Sequence, residues 1–160
     1  MIVAFPQSAT DGTIAAYFLY GLESGLFAPD CAKDWAYSVV EHSDEPRLEI
    51  VEIASANRLP DVLEALRRAM HDADLHLAGR WLLGVLSEDL QNKRVGIRVA
   101  IQRAIQIAKC THLPEDTYYE LDRLDDALYL AESGTYGSID EVVREAAATL
   151  NANSRSMKDA

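Results

Sequence analysis

Residues 29–41 read PDCAKDWAYSVVE, and the spacing of their apolar side chains decides the fold class. A proline followed by an acidic residue opens the segment, which is typical of the first turn of a helix. The apolar residues then recur at i, i+3, i+4, i+7 and i+8, the spacing of one face of an α-helix. They are Ala32, Trp35, Ala36, Val39 and Val40. The stretch therefore predicts an amphipathic helix from about Pro29 to Glu41.

Similar start and stop signals divide the rest of the chain into helices. Before residue 29, Thr10 or Asp11 is a suitable N-cap for a helix over 12–24, and Gly25 is suited to end it. Near the C-terminus, Ser138 and Glu141 have the spacing of a capping box. The helices predicted after residue 41 cover about 44–56, 59–70, 72–86 (or from 74), 92–111, 114–134 and 138–150.

Evidence for strands is confined to two short stretches. Residues 1–5 are apolar, and residues 48–53 are rich enough in β-branched side chains to form a strand. Pro46 and the spacing of the nearby glutamates favour a helix at the second stretch. We therefore expect an all-α fold: one domain over 1–150, built as a bundle or a short HEAT-like stack of about seven to eight helices. A disordered tail is expected over 151–160.

The composition is that of a globular protein. Of the 160 residues, 49% are hydrophobic and 26% are charged. No basic leader opens the sequence, and no apolar run approaches the roughly 18–20 residues that a membrane-spanning helix needs. Cys31 and Cys110 lie far apart, so a structural disulfide is not expected. These observations predict a cytoplasmic protein.

The net charge restricts the partners. The chain has 26 acidic residues against 15 lysines and arginines, a net charge of −11. Acid of this density repels nucleic acids and anionic membranes and attracts basic proteins. We therefore expect a basic protein partner and neither a nucleic acid nor a membrane.

One segment, 93–109, has the opposite charge. It carries five basic residues and no acid, which leaves −16 on the rest of the chain when the total is −11. A nucleic-acid site there is one interpretation, and ion pairs with neighbouring acidic helices are the other. The surrounding negative charge favours the second. The basic residues are Lys93, Arg94, Arg98, Arg103 and Lys109.

A first acidic segment lies between residues 41 and 52. On a helix beginning near Glu45, the side chains of Glu45, Glu49 and Glu52 would share one face at i, i+4 and i+7. Glu41 and Asp44 come just before them. The segment is either a solvated helix face or a surface that binds a partner.

A second acidic segment lies between residues 115 and 126, with six acids and one base. At 100° per residue, its leucines and one alanine form a buried stripe: Leu121, Leu124, Leu128 and Ala131. Tyrosines and aspartates occupy the adjoining face: Tyr118, Asp122, Asp125, Asp126 and Tyr129. Tyrosine supplies contact area at low entropic cost, and carboxylates bind Lys or Arg of a partner. These five residues are the better interface candidate, the alternative being tyrosines at the edge of the core.

No catalytic or cofactor motif accompanies the charge. The sequence lacks a dinucleotide-binding glycine fingerprint, a P-loop, a nucleophile elbow and kinase signatures. His71 and His76 are five residues apart, which does not place two imidazoles side by side on a helix. We therefore expect no metal, no cofactor and no catalytic residue. A carboxylate or His71/His76 metal enzyme stays as a third interpretation.

Residues 20–56 resemble a pattern found in small bacterial helical proteins of unknown function that include immunity proteins of polymorphic toxin systems. The matching residues are Gly21-Leu22-x-x-Gly25-Leu26-x-x-Pro29, Trp35-Ala36, Asp44-Glu45-Pro46 and Glu52-Ile53-Ala54. The resemblance implies a cytosolic antidote that binds a toxin domain, often a basic nuclease, and blocks its active site or substrate surface.

Charge and resemblance together predict a non-enzymatic acidic protein that binds and neutralises a basic protein partner. Its most specific form is an immunity protein against a bacterial toxin domain, with a nuclease as one possible target. The alternative is a helical scaffold or regulatory adaptor that binds a peptide or a helical partner. Binding that weakens as salt rises favours the first, and weak salt dependence favours the second.

Overall fold

The computed structural model describes residues 3–158, and this part of the chain is all helical, with no strand. The eight helices are α1 (Asp11–Glu23), α2 (Pro29–Glu41), α3 (Leu48–Ser55), α4 (Leu59–Ala69), α5 (Leu75–Gln91), α6 (Ile97–Cys110), α7 (Glu115–Glu132) and α8 (Ile139–Asn153). The prediction of an all-α fold with about seven to eight helices is confirmed. The stretch 48–53 is helical, as its proline and glutamates indicated.

The helices are distributed over two compact units, whose boundary falls between Ala78 and Gly79 within α5. The first unit contains α1 to α4 and the first residues of α5, together with Met157 and Lys158. The second contains the rest of α5 and α6 to α8. The expectation of one domain over 1–150 stays a prediction.

In the first unit, α1 is the central helix, and nine of its thirteen residues are buried. It packs on α4 and α2, while α3 packs on both α2 and α4. An aromatic cluster surrounds α1, in which Phe18 lies 5.5 Å from Trp35 and 5.8 Å from Phe5 between ring centroids. Trp35, which was predicted to be a core residue, is half-buried and contacts the core through Phe18.

In the second unit, α7 packs on α6 and on α8, and α6 packs on α8. From α5, the Trp81 side chain is 1% exposed and occupies the core. Gly79, on the same helix, lies against Thr111 at the end of α6. These packings fix α7 along one side and leave its other side to solvent.

Four helices end in the same backbone motif, with a left-handed residue just beyond the helix. After α1 and α7 that residue is Gly25 (φ 77°) or Gly134 (φ 70°), as the sequence predicted. After α5 and α6 it is Lys93 (φ 57°) or His112 (φ 52°). In each case two backbone N–H groups bond back to the last turn, as from Arg94 to the Asp89 oxygen at 2.8 Å.

The absence of a glycine after α5, where Lys93 is the left-handed residue, explains an error in the predicted boundaries. We expected α5 to end at residue 86 and α6 to start at residue 92, but α5 continues to Gln91 and α6 begins at Ile97. Ser87 is helical and 1% exposed, although its polarity indicated a helix end. Its hydroxyl donates to the Asn151 oxygen at 2.7 Å, so a buried partner satisfies it.

At the C-terminus, α8 extends three residues past the predicted boundary at residue 150. The side chain of Asn153 accepts a hydrogen bond from the Thr117 hydroxyl at 2.8 Å. Beyond the helix, the Arg155 N–H donates to the Arg80 oxygen at 3.1 Å. The first residues of the expected tail are therefore hydrogen-bonded within the second unit.

Candidate functional site

Helix α7 carries the second acidic segment. It starts after Pro114, which has no backbone N–H to leave unpaired and an extended ψ of 143°. Glu115 and Asp116 occupy the first turn, where the helix dipole favours negative charge. Acids in this turn therefore have a local structural role, and the acids further along the helix need another explanation.

One face of α7 is buried at helical spacing. Leu121, Leu124 and Leu128 are each at most 1% exposed, as predicted. Ala131, the fourth predicted member, is only half-buried, and Thr117 is buried at the other end of the stripe instead. The buried face thus lies one turn closer to the N-terminus than expected, because Thr117 bonds to Asn153 of α8.

The predicted aspartates lie on the solvent side of α7. Asp122 and Asp126 are exposed and Asp125 is half-buried. Within residues 3–158, no basic nitrogen lies within ion-pair distance of any of the three carboxylates, and none accepts a hydrogen bond. At the spacing of i and i+4, Asp122 and Asp126 are neighbours on the helix surface. No ion pair within residues 3–158 compensates their repulsion, so a cation from a partner would relieve it.

The two predicted tyrosines of this face differ in their surroundings. Tyr129 is 68% exposed. Tyr118 is half-buried, and the ammonium of Lys109 lies 5.2 Å from its ring centroid, within range of a cation–π interaction. Tyr129 is available to a partner, whereas one face of the Tyr118 ring is engaged by α6.

A third tyrosine belongs to this surface and was not predicted. Tyr119 is 61% exposed and makes an edge-on contact with Tyr118 at 5.7 Å. At 100° per residue it points almost directly away from the buried leucines, on the same line as Asp126. The helical angle of Tyr119 could have been read from the sequence. Our prediction, however, considered the face beside the buried stripe and not the face opposite it. We call Tyr119, Asp122, Asp125, Asp126 and Tyr129 the α7 face.

The first acidic segment does not form the helix face that we expected. Glu41 ends α2, while Asp44 and Glu45 lie in the connection before α3. Because α3 begins only at Leu48, Glu45 shares no helix with the two later glutamates, and the prediction is wrong. The cause is Pro46, since a residue that precedes proline is disfavoured in the α conformation.

The remaining two glutamates of that segment are paired inside the first unit. Glu49 lies 3.7 Å from Arg47, and Glu52 lies 2.7 Å from Arg68 of α4. The Glu52 Oε2 atom is also shielded from solvent. Their charge is thus partly compensated, while Glu41, Asp44 and Glu45 have no ion pair within the described chain. The α7 face is the stronger candidate because its three unpaired aspartates lie on one helix with two exposed tyrosines, whereas Asp44 and Glu45 lie in a connection.

The basic segment 93–109 pairs in part with neighbouring acids, as predicted. Arg94 donates to Asp89 at 2.8 Å and lies 3.7 Å from Glu88, and this hydrogen bond to the Asp89 carboxylate raises the pKa of Arg94. Arg98 of α6 is hydrogen-bonded to Glu132 of α7. These bases are directed to acids of the same unit.

His71 and His76, the alternative metal ligands, are not part of any metal-binding group. The Nδ1 atom of His71 lies 2.9 Å from a guanidinium nitrogen of Arg47, which would repel a metal cation. Among residues 3–158, no three His, Cys, Asp or Glu side chains are grouped so that they could hold a metal ion.

The described helices include none that is both long enough and apolar enough to cross a membrane. Comparison of the chain with protein-family models, with curated proteins and with solved structures found no match.

Proposed function

We propose that this chain is a non-enzymatic protein that binds and neutralises a basic protein partner through the α7 face. Its most specific form is an immunity protein against a bacterial toxin domain such as a nuclease. The proposal rests on one observation: three carboxylates that have no ion pair within the described residues lie beside two exposed tyrosines on a single helix.

Charge and contact area have separate roles in such an interface. The net charge of −11 steers a basic protein toward the surface before contact and raises the association rate. Tyr119 and Tyr129 then supply contact area with few rotatable bonds to immobilise. Because α7 is held by leucines on its inner side, the outer side chains are presented on a rigid element.

The test uses the toxin domain encoded next to this chain's gene and a triple charge reversal, Asp122→Lys, Asp125→Lys and Asp126→Lys. We expect the dissociation constant at physiological salt to rise at least about tenfold, chiefly through slower association. Circular dichroism should be unchanged, because no internal contact of these carboxylates is lost. Wild-type affinity should fall as salt rises, since screening weakens exposed charge interactions.

The matched control reverses three other exposed and unpaired acids, Glu41→Lys, Asp44→Lys and Glu45→Lys. Both triple variants change the net charge equally, so any loss common to both reports long-range steering alone. A larger loss in the α7 variant supports the proposal. An equal or larger loss in the control, or the absence of a basic toxin domain beside the gene, would count against it.

A further inference from the structure

Several exposed apolar side chains of the second unit lie in or next to the connection between α7 and α8. Of the ten exposed large hydrophobic residues among residues 3–158, four lie between positions 129 and 139. We call residues 133–139, the connection between the two helices and the first residue of α8, the tyrosine turn. Tyr136 at its centre is 78% exposed, the highest value among these ten, and Ile139 at its end is 45% exposed. Such side chains contribute little to the core, and exposed apolar residues that lie together, unlike single ones, are typical of interaction surfaces.

The backbone of the tyrosine turn is fixed. The N–H groups of Thr135 and Tyr136 both donate to the Leu130 oxygen, at 3.0 and 3.3 Å. Gly134 (φ 70°) and Gly137 (φ 72°) supply the left-handed conformations on either side of Tyr136. The turn therefore folds back on the end of α7 and presents Tyr136 from a preorganised backbone, which lowers the entropic cost of inserting its ring into a partner.

The charges around the turn define the chemistry of the partner. Residues 124–143 contain five acids and no base. One of these acids, Glu132, is paired with Arg98 of α6, and the other four have no ion pair within the described chain. A second copy of the chain would bring the same excess of acid to this place, which disfavours self-association through this surface. A partner whose surface has an apolar cleft bordered by basic residues would complement this region. The cleft would receive the exposed apolar side chains of the turn, and the basic residues would meet the acids around them.

We propose that the tyrosine turn is the hydrophobic anchor of an interface with a basic protein, with Tyr136 entering an apolar cleft bordered by Lys or Arg. The inference rests on the proposed function and adds a second contact to it. The aspartates of the α7 face set the association rate, and the turn sets the lifetime of the complex, since buried aromatic anchors act mainly on dissociation.

The test uses two synthetic probes with the same number of lysines: a lysine homopeptide, and a peptide in which leucine and phenylalanine alternate with lysine. Binding to the full chain is measured by fluorescence anisotropy, and contacts are mapped by amide chemical shifts. We expect both probes to bind, the apolar-containing one about tenfold more tightly. Only that probe should shift the amides of the tyrosine turn.

Two variants make the test specific. Tyr136→Ala should remove the tenfold advantage of the apolar-containing probe and leave the lysine homopeptide unaffected. Tyr37→Ala is the matched control, because Tyr37 is 53% exposed on α2 of the other unit, and it should retain the advantage. Circular dichroism of both variants should equal that of the wild type, since neither side chain is part of the core.

The possible failures are distinguishable. If the homopeptide binds but the apolar-containing probe gains nothing, or if Tyr136→Ala keeps the gain, the anchor is wrong and the proposed function stands. If neither probe binds, attraction of a basic ligand is wrong and both proposals fall. A concentration-dependent dimer that Tyr136→Ala dissociates would assign the turn to a second copy and overturn the anchor.

Discussion

Gly79 and Gly84 lie on the same helix, α5, but an added methyl group meets different surroundings at each. At Gly79 the new carbon would overlap the Thr111 hydroxyl and lie 2.8 Å from Thr111 Cβ and 3.2 Å from a Leu113 methyl. Carbon atoms in proteins prefer to be about 3.5–4.0 Å apart. At Gly84 the nearest atoms are 3.6 Å away, which is an ordinary contact.

Thr111 has little freedom to avoid the clash. It is fully buried, and its hydroxyl donates to the Ile107 oxygen at 2.6 Å. Rotation of the side chain would move the hydroxyl but leave Cβ in place, so the helix backbones would have to separate. Overpacking of this kind costs about 1–3 kcal/mol. The gain in helix propensity from Gly to Ala, about 1 kcal/mol, is common to both positions.

We therefore expect Gly79→Ala to be about 1–3 kcal/mol less stable than Gly84→Ala, and Gly84→Ala to be as stable as the wild type or more so. For a chain of this length, a 2 kcal/mol difference corresponds to about 4–8 °C in melting temperature. Thermal and urea unfolding followed by far-UV circular dichroism measure both quantities. If the units unfold separately, only the transition of Gly79–Ser156 should shift.

A double-mutant cycle identifies the contact responsible. In a Thr111→Ala background, where the overlapping hydroxyl is absent, Gly79→Ala should cost less than in the wild type. Equal stability of Gly79→Ala and Gly84→Ala, or a cost at Gly79 that is independent of Thr111, would refute the reasoning.

Two further predictions concern helix starts. Ser138→Ala should destabilise the protein by about 1 kcal/mol in urea unfolding, because the Ser138 hydroxyl accepts a hydrogen bond from the Glu141 N–H at 3.2 Å at the start of α8. Ser138→Asp should keep the wild-type stability. An alanine variant as stable as the wild type would contradict this capping role. Asp61 accepts two hydrogen bonds from Arg58, at 2.9 and 3.1 Å, and they lower its pKa. Its contribution to stability is therefore present above its unfolded pKa and is lost as the pH falls through the folded value. Arg58→Gln should raise the Asp61 pKa toward its ordinary value in an NMR titration, and an unchanged pKa would show that Arg58 is not the cause.

Much of the helical architecture could be predicted because its signals are local. Apolar spacing on α2 and the glycines after α1 and α7 gave three helices with boundaries accurate to about two residues. The boundary between α5 and α6 was wrong because Lys93 occupies a left-handed position that glycine usually marks. A lysine there carries no local signal, and only the packed helices make the strain acceptable.

The candidate site was predictable to a lesser degree. Periodicity placed Asp122, Asp126 and Tyr129 on one face of α7, and the structure brings them together on one helix. The periodicity did not reveal that Glu52 pairs with Arg68 of a different helix, or that the Tyr118 ring contacts Lys109. Such contacts join residues distant in sequence, so they depend on how helices pack.

The sequence by itself determined the helical class, the acidity and the order of the elements, because propensity, caps and charge act within a few residues. The tertiary structure alone decided which acids are compensated. It paired Glu49 and Glu52 with arginines, and it left the aspartates of the α7 face without a cation in the described chain. A charge becomes a candidate for binding only when no internal partner reaches it, and that depends on the distances between packed helices.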